Sequence, residues 1–323
     1  MKSILIIHTG GTISMLENKD TGEVTTADSH PLKDVTDRLS FPAHIDEIIP
    51  FSVPSPQITP QHMVEVANKI NEASGDYDGF VVTHGTDTLE ETAYFLDLTV
   101  VANKPVIITG AMRSANEIGS DALYNLLSSL RTATNNEAWN KGVLVVINDE
   151  IHTAQNVTKT STSNIATFQS PQYGPIGIVT KDDIIFHHTI LSRKIYPVRK
   201  TDKRVYLLKA YAGMNGDILD ALHQVKPDGL VIEGLGEGNL PKDTLKALQR
   251  IINEQIPVIL VSRCYRGIVQ PTYGYDGGGK QLKDMGIIFA NGLTGPKARL
   301  KLLIMLETTT NLEALKETFE KTY

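Results

Sequence analysis

The stretch Ser3-Ile-Leu-Ile-Ile-His-Thr9-Gly-Gly-Thr-Ile-Ser14 decides the fold. Its first half is a continuous apolar run of strand length, the pattern of a strand buried on both faces of a parallel sheet. Gly10 and Gly11 then let the chain turn so tightly that the Thr12 hydroxyl stands clear of the backbone. The arrangement returns in Gly79-Phe-Val-Val-Thr-His-Gly-Thr-Asp-Thr88, with Thr86 in the place of Thr12. Ligands of open α/β sheets bind beyond the carboxyl ends of the strands, so two such turns can face one crevice. Paired in this way, the two threonines suggest a hydrolase with a threonine nucleophile. Taken singly, each turn also reads as an ordinary strand-to-helix connection.

Outward from these turns, strand-like runs at 79–83, 105–109 and 142–147 alternate with helix-like segments at 60–73, 89–101 and 121–134. That alternation marks a mostly parallel sheet covered by helices. From 189 to 203 the periodicity lapses into a basic cluster around Pro197, which reads as an interdomain linker. A second alternating series follows, with strand runs at 205–210, 229–233, 257–262 and 286–290 and a helix at 242–253. The expected organisation is an α/β chain of two wound domains, 1–188 and 204–323, joined by 189–203. Near the C-terminus Leu312, Leu315, Phe319 and Tyr323 fall on one helical face behind Asn311 as cap, a packing stripe.

The 323 residues are 41% hydrophobic and 21% charged, enough material for more than one core. A net charge of −6, with Lys and Arg scattered along the chain, leaves no footprint for nucleic acid. A small, locally neutralised ligand is the expected partner. With neither a signal-peptide pattern nor an apolar run long enough to span a bilayer, the expectation is a cytoplasmic protein without membrane contact. The single Cys264 excludes an intrachain disulfide and a cysteine-based zinc cage, and reads as a small packed residue.

An alkoxide nucleophile needs a base, the base needs an orienting partner, and the developing oxyanion needs donors. Asp87, directly after Thr86, is a carboxylate fixed in a turn, suited to a substrate ammonium or to anchoring a lysine. The alternative reading makes it the cap of the helix beginning near Leu89. Lys159 lies in Val157-Thr-Lys-Thr160, inside a stretch rich in Thr, Ser and Asn, where a solvated loop lysine is the default. It becomes a candidate base only if the fold brings it to Asp87, where burial helps a lysine to act near neutral pH.

Thr9-Gly-Gly-Thr-Ile13, His84-Gly-Thr-Asp-Thr88, Thr109-Gly-Ala-Met-Arg113 and Val157-Thr-Lys-Thr160 follow one another in an order and spacing that resembles the bacterial-type L-asparaginases. Phe168-Gln-Ser-Pro171 and Pro296-Lys-Ala-Arg299 extend the resemblance over essentially the whole chain. It implies a larger N-terminal domain, with a parallel-type sheet and helices on both faces, and a smaller C-terminal α/β domain. It implies hydrolysis of L-asparagine to L-aspartate and ammonia through an acyl-threonine intermediate, with no metal or organic cofactor, in a homodimer or homotetramer. Carried over by position, Thr12 would attack the side-chain amide carbon, and Thr86, Asp87 and Lys159 would handle protons. Asp87 would also hold the substrate α-ammonium, Ser55 in Pro54-Ser-Pro-Gln57 its α-carboxylate, and the Ala111 carbonyl would face the amide nitrogen. Which hydroxyl attacks first stays open.

The chain departs from that pattern at three places. Pro56 follows Ser55, whose other reading is a turn residue before a helix. No tyrosine stands between Thr12 and Ser55, and Glu23 follows Gly22 where the family's loop tyrosine is expected. The polar segment 15–29 reads as a mobile lid with Glu23 at its tip. Tyr273-Gly-Tyr-Asp-Gly-Gly-Gly-Lys280 occupies the region from which a family glutamate reaches the neighbouring subunit's site, with Tyr275 and Asp276 as substitutes. Gly274-Tyr-Asp-Gly-Gly-Gly-Lys280 also has the spacing of a phosphate loop, but Gln281 replaces the magnesium-ligating hydroxyl, and Gly234-Leu-Gly-Glu-Gly238 lacks the full dinucleotide fingerprint. His187 and His188 read as a surface pair pointing to opposite faces. Rival functions are a broader glutaminase-asparaginase, a non-catalytic asparagine sensor and a tRNA-dependent amidotransferase subunit.

Overall fold

The computed structural model describes residues 1–26, 41–190 and 193–320. The chain divides into two compact units, Met1–Arg199 and Lys200–Tyr323.

In the first unit β1 (Lys2–His8) leads to a hairpin of β2 (Met15–Glu17) and β3 (Val24–Thr26), then β4 (Ala43–Ile48) and α1 (Pro60–Ala73). Next come β5 (Gly79–Thr83), α2 (Leu89–Thr99), β6 (Val106–Thr109), α3 (Ala122–Thr134) and β7 (Val143–Ile147). Short strands follow: β8 (Glu150–Thr153), β9 (Thr158–Lys159), β10 (Phe168–Gln169), β11 (Gly177–Val179) and β12 (Ile184–Phe186). The main sheet has eight strands in the order β12-β11-β8-β7-β6-β5-β1-β4. From β7 to β4 all pairings are parallel. Side-chain alternation explains why these strands are apolar throughout. Leu5, Ile7, Phe80 and Val82 pack with Val66 and Ile70 of α1 and Ala93 and Leu96 of α2, whereas Ile4, Ile6 and Val81 pack with Leu126 and Leu130 of α3. Each such side chain contributes about 1.5–3 kcal/mol by leaving water. Helix α1 starts where the sequence supplies a cap: the Thr59 side chain accepts from the His62 N–H, the His62 ring accepts from the Thr59 N–H, and Pro60 takes the first turn.

From β1 the chain passes to β4 on one side, then crosses back to β5 on the other side and continues outward to β6 and β7. The switch of direction therefore lies between β1 and β5, the place where open α/β sheets hold ligands.

Beyond β7 the sheet turns antiparallel, through β8, β11 and β12. The reversal comes from Asn148 and Asp149, both at positive φ (50° and 64°), which form a two-residue turn between Ile147 and Glu150. Such turns match the right-handed twist of the flanking strands. The segment expected to be a mobile lid forms a hairpin over 15–26, with Met15 opposite Thr26 and Glu17 opposite Val24. The Asn116 side chain donates to the Glu17 carbonyl (2.8 Å) and accepts from its N–H (2.8 Å), as a third strand would. Residues 27–29 of the expected lid lie outside the described residues. Part of the expected linker docks on the first unit, where Arg193 donates to the Asp97 and Val100 carbonyls (both 2.9 Å) and the Tyr196 N–H to that of Leu98 (2.7 Å).

The second unit is a four-stranded parallel sheet in sequential order, β13 (Val205–Lys209), β14 (Gly229–Gly234), β15 (Val258–Ser262) and β16 (Ile288–Phe289). Leu230, Ile232 and Leu260 pack with Leu219 of α4 (Asp217–Gln224) and Leu248 and Ile251 of α5 (Leu245–Asn253). The short α6 (Gly279–Asp284) and the longer α7 (Gly295–Thr308) and α8 (Leu312–Glu320) complete the unit. Asn311 caps α8 by accepting from the Glu313 and Ala314 N–H groups at 2.9 and 3.2 Å, and Leu315 and Phe319 are buried. Tyr323 of the expected stripe lies outside the described residues. Cys264 is exposed and not packed, because it falls in the loop leaving β15. Among the described residues no helix is long and apolar enough to cross a membrane.

Candidate active site

The site begins where three backbone segments meet. Thr9 ties the end of β1 to its neighbours: its N–H and hydroxyl both donate to the Thr83 carbonyl (3.1 and 2.9 Å), and its own carbonyl accepts from the Val53 N–H (3.1 Å). Gly11 has φ 84° and ψ −179°, a conformation essentially reserved for glycine. A Cβ there would lie 2.1 Å from the Gly85 Cα, and one on Gly85 would lie 2.6 Å from the Ser55 Cβ. The loops after β1 and β5 thus touch backbone to backbone, and the Ser55 side chain closes on Gly85 from the third segment. Thr12 and Thr86, each the next residue after one of these glycines, flank the same contact. Thr12 opens a single helical turn, Thr12–Ser14, and is half-buried.

Lys159 completes the group. Its Nζ donates to the Thr86 Oγ1 (2.9 Å) and to the Asp87 Oδ1 (2.8 Å). Lys159 sits on β9, held by β10 through the pairing of Lys159 with Phe168 and Thr158 with Gln169, so the polar stretch that reads as a loop is a docked hairpin. The lysine side chain is 16% exposed and the Asp87 carboxylate 58%. A pair so accessible is worth about 0–1 kcal/mol to stability, which leaves its geometry as its consequence. Asp87 is not the helix cap: Thr88 occupies that position before α2, with no side-chain cap bond. The Asp87 N–H instead donates to the Ser55 Oγ (3.2 Å), and the Thr88 hydroxyl to the Ser55 carbonyl (2.8 Å). Buried Ser55 thereby locks the Thr86-Asp87 segment to the turn before α1.

His84 lies beneath this cluster, fully enclosed. Its Nδ1 is 2.8 Å from the Gly85 carbonyl oxygen and its Nε2 2.9 Å from the Thr92 hydroxyl on α2. Burial lowers its pKa to about 4, against a smaller opposing effect of the Gly85 bond. The ring is neutral at physiological pH.

Of the residues singled out in the sequence, Thr12, Ser55, Thr86, Asp87 and Lys159 come together; Ala111 does not reach the surface. It is completely buried behind β6, where the Met112 and Arg113 N–H groups donate to the Asp121 carboxylate (3.1 Å each) and Asn125 donates to the Gly110 carbonyl (3.0 Å). The supporting residues Asp121, Asn125 and Asn116 left no mark in the sequence, since their partners are set by the fold and not by spacing. His187 and His188 do not point to opposite faces. Both rings converge on the Pro175 carbonyl (3.1 and 3.3 Å), because both of their N–H groups bond the Ile176 carbonyl and the chain is bent, not pleated. Among the described residues no group of three or more His, Cys, Asp or Glu could hold a metal ion.

Comparison with known proteins places both units. Residues 3–192 match the family model described as "Asparaginase, N-terminal", and residues 204–319 match "Glutaminase/Asparaginase C-terminal domain". A protein named "L-asparaginase" from Bacillus licheniformis is 33% identical over 94% of this chain and 95% of its own length. A "Probable L-asparaginase" from Deinococcus radiodurans is 38% identical over 98% of this chain and 96% of its own. A "Glutaminase-asparaginase" from Pseudomonas fluorescens biotype A is 28% identical over 99% and 90%.

Proposed function

This chain belongs to the asparaginase family of amidohydrolases, and from that premise we propose that it hydrolyses L-asparagine to L-aspartate and ammonia through an acyl ester on Thr12. The observation that carries the reading is the Lys159 Nζ shared between Thr86 and Asp87 beside the Gly11–Gly85 contact. In this reading the Thr12 Oγ bonds to the side-chain amide carbon as its proton passes into the Thr86–Lys159–Asp87 group. The carbon–nitrogen bond then breaks, and the leaving nitrogen takes a proton and departs as ammonia. Water, deprotonated by the same group, attacks the ester carbon and releases aspartate and the Thr12 hydroxyl. Asp87, more than half exposed, also receives the α-ammonium, and Ser55 the α-carboxylate. In this reading the Ala111 carbonyl faces the amide nitrogen, from a residue that is fully buried. No step calls on a metal or organic cofactor. The active form is a homodimer or homotetramer, which light scattering at assay dilution tests.

Thr12→Ala tests the assignment directly: ammonia release with asparagine should vanish while the protein keeps its fold. Parental turnover in that variant would refute it, and a parent that binds asparagine without releasing ammonia would be a sensor. The likeness to a relative named glutaminase-asparaginase supports a second reading in which glutamine is also a substrate. One methylene changes discrimination by about 1–3 kcal/mol, so the ratio of kcat/KM for the two amides decides between them.

A further inference from the structure

We propose that His84 is a positioning residue that fixes the Gly85–Thr86 peptide plane so that the Thr86 N–H faces the reacting group. The inference rests on the amidohydrolase reading and adds a residue to it. A carbonyl oxygen can only accept, so the 2.8 Å contact places the proton of the neutral ring on Nδ1, which donates to the Gly85 oxygen. Nε2 then carries the lone pair and accepts from the Thr92 hydroxyl at 2.9 Å. The ring is held at both ends by groups it cannot exchange with water, since His84 is 1% exposed and Thr92 equally enclosed.

The consequence follows from the planarity of the peptide. In a trans unit the C=O and the following N–H point in opposite directions. Tying the Gly85 oxygen down to the ring turns the Thr86 N–H the other way, out of the packed layer between β5 and α2. Gly85 is the residue whose backbone touches Gly11 and Ser55, so this plane lies at the centre of the three-segment contact. Without His84 the Gly85 carbonyl would be a buried acceptor lacking its partner, and rotation of the plane would be its means of relief. That rotation would turn the Thr86 N–H away and shift the Thr86 hydroxyl off the Lys159 Nζ. A donor aimed at a developing oxyanion acts on the transition state more than on the bound substrate.

The test compares three variants in the full-length protein with asparagine. His84→Leu removes both bonds and should lower kcat about 10- to 100-fold with KM within about threefold, as expected for a small misplacement of reacting groups. His84→Asn keeps a donor near the Nδ1 position and should recover kcat to within about threefold of the parent. Thr92→Val deletes the hydroxyl that anchors the ring at Nε2, and should lower kcat severalfold without raising KM; it stands in for His84→Leu if that protein does not fold. Nitrogen-15 NMR of the parent should show His84 as the neutral Nδ1–H form at pH 6, a result independent of any substrate. The Nε2–H form, parental kcat in His84→Leu or Thr92→Val, or equal losses in His84→Leu and His84→Asn would each overturn the proposal. A parent that hydrolyses neither asparagine nor glutamine would defeat the functional reading alone, and the NMR result would still decide the placement of the ring.

Discussion

Replacing Gly11 by alanine should unseat the site, and the structure sets the size of the effect. The backbone angles of Gly11 cost an L-residue ~1–3 kcal/mol. The new Cβ would fall 2.1 Å from the Gly85 Cα and 2.3 Å from its nitrogen, backbone atoms that cannot swing aside as a side chain does. Overpacking of that kind adds ~1–3 kcal/mol. The total, about 2–6 kcal/mol, is a large share of the ~5–15 kcal/mol that holds a domain together. Gly174→Ala provides the internal comparison: Gly174 has φ +75° with nothing within 4 Å of an added Cβ, so only the left-handed backbone cost of ~1–2 kcal/mol applies. Urea unfolding followed by Trp139, the chain's one tryptophan and a residue of the same unit, reads both variants. Ammonia release by the folded Gly11→Ala protein then reports whether Thr12 has moved. If Gly11→Ala costs no more than Gly174→Ala and keeps the parental kcat, the three-segment contact does not set the position of Thr12.

Lys159→Met and Asp87→Asn should each lower kcat by about 10²- to 10⁴-fold, and the double variant should be little worse than the poorer single, because one Nζ serves both partners; multiplication of the two losses would separate them. His84, lowered to about 4 from 6.5 by its burial, makes stability depend on acid. Between those values the unfolded chain holds a proton that the folded chain refuses, so the contribution is complete above about pH 6.5 and about 2 kcal/mol is lost by pH 5. The urea stability gap between parent and His84→Asn should therefore shift by about 2 kcal/mol from pH 7.5 to pH 5, and a gap that stays constant would contradict the burial of a neutral ring. Glu23 closes the β2–β3 turn through its backbone, its carbonyl accepting from the Asn18 N–H at 2.8 Å, and its side chain is exposed. Glu23→Gln should keep kcat within about twofold, while loss of one limb of the pH–rate profile would assign Glu23 a proton.

The parallel core was legible because Ile4 to Ile7 and Phe80 to Val82 are apolar at every position, a pattern that burial on both faces imposes. Strand β4 was missed: His44, Asp46 and Glu47 break its apolar run, as an edge strand permits. The antiparallel extension hung on two residues, Asn148 and Asp149, whose left-handed conformations are a weak signal beside the long alternation before them. Within the site, Thr12 and Thr86 announced themselves through their glycine turns. The meeting of Lys159 with Asp87 could not be read from spacing, because 72 residues separate them and a strand pair of only two residues on each side, β9 with β10, sets the approach. His84 was visible only as part of its motif, since its partner Thr92 belongs to the next helix. The convergence of His187 and His188 was hidden for the opposite reason: the rule for extended chain was applied where the chain bends.

The glycine contact beneath Thr12 bears on how a damaged version of this protein could be repaired. When a core side chain is enlarged, a second mutation can restore fit by shrinking its neighbour. Gly11 and Gly85 already face each other as the smallest residues there are, with Ser55 close behind, so the pair holds no volume to give back. Genetic suppressors of a substitution at Gly11, whose added Cβ would meet only backbone of Gly85 and His84, would have to reroute the main chain, by insertion or deletion in the loops after β1 or β5, and a screen confined to point substitutions would return only true revertants.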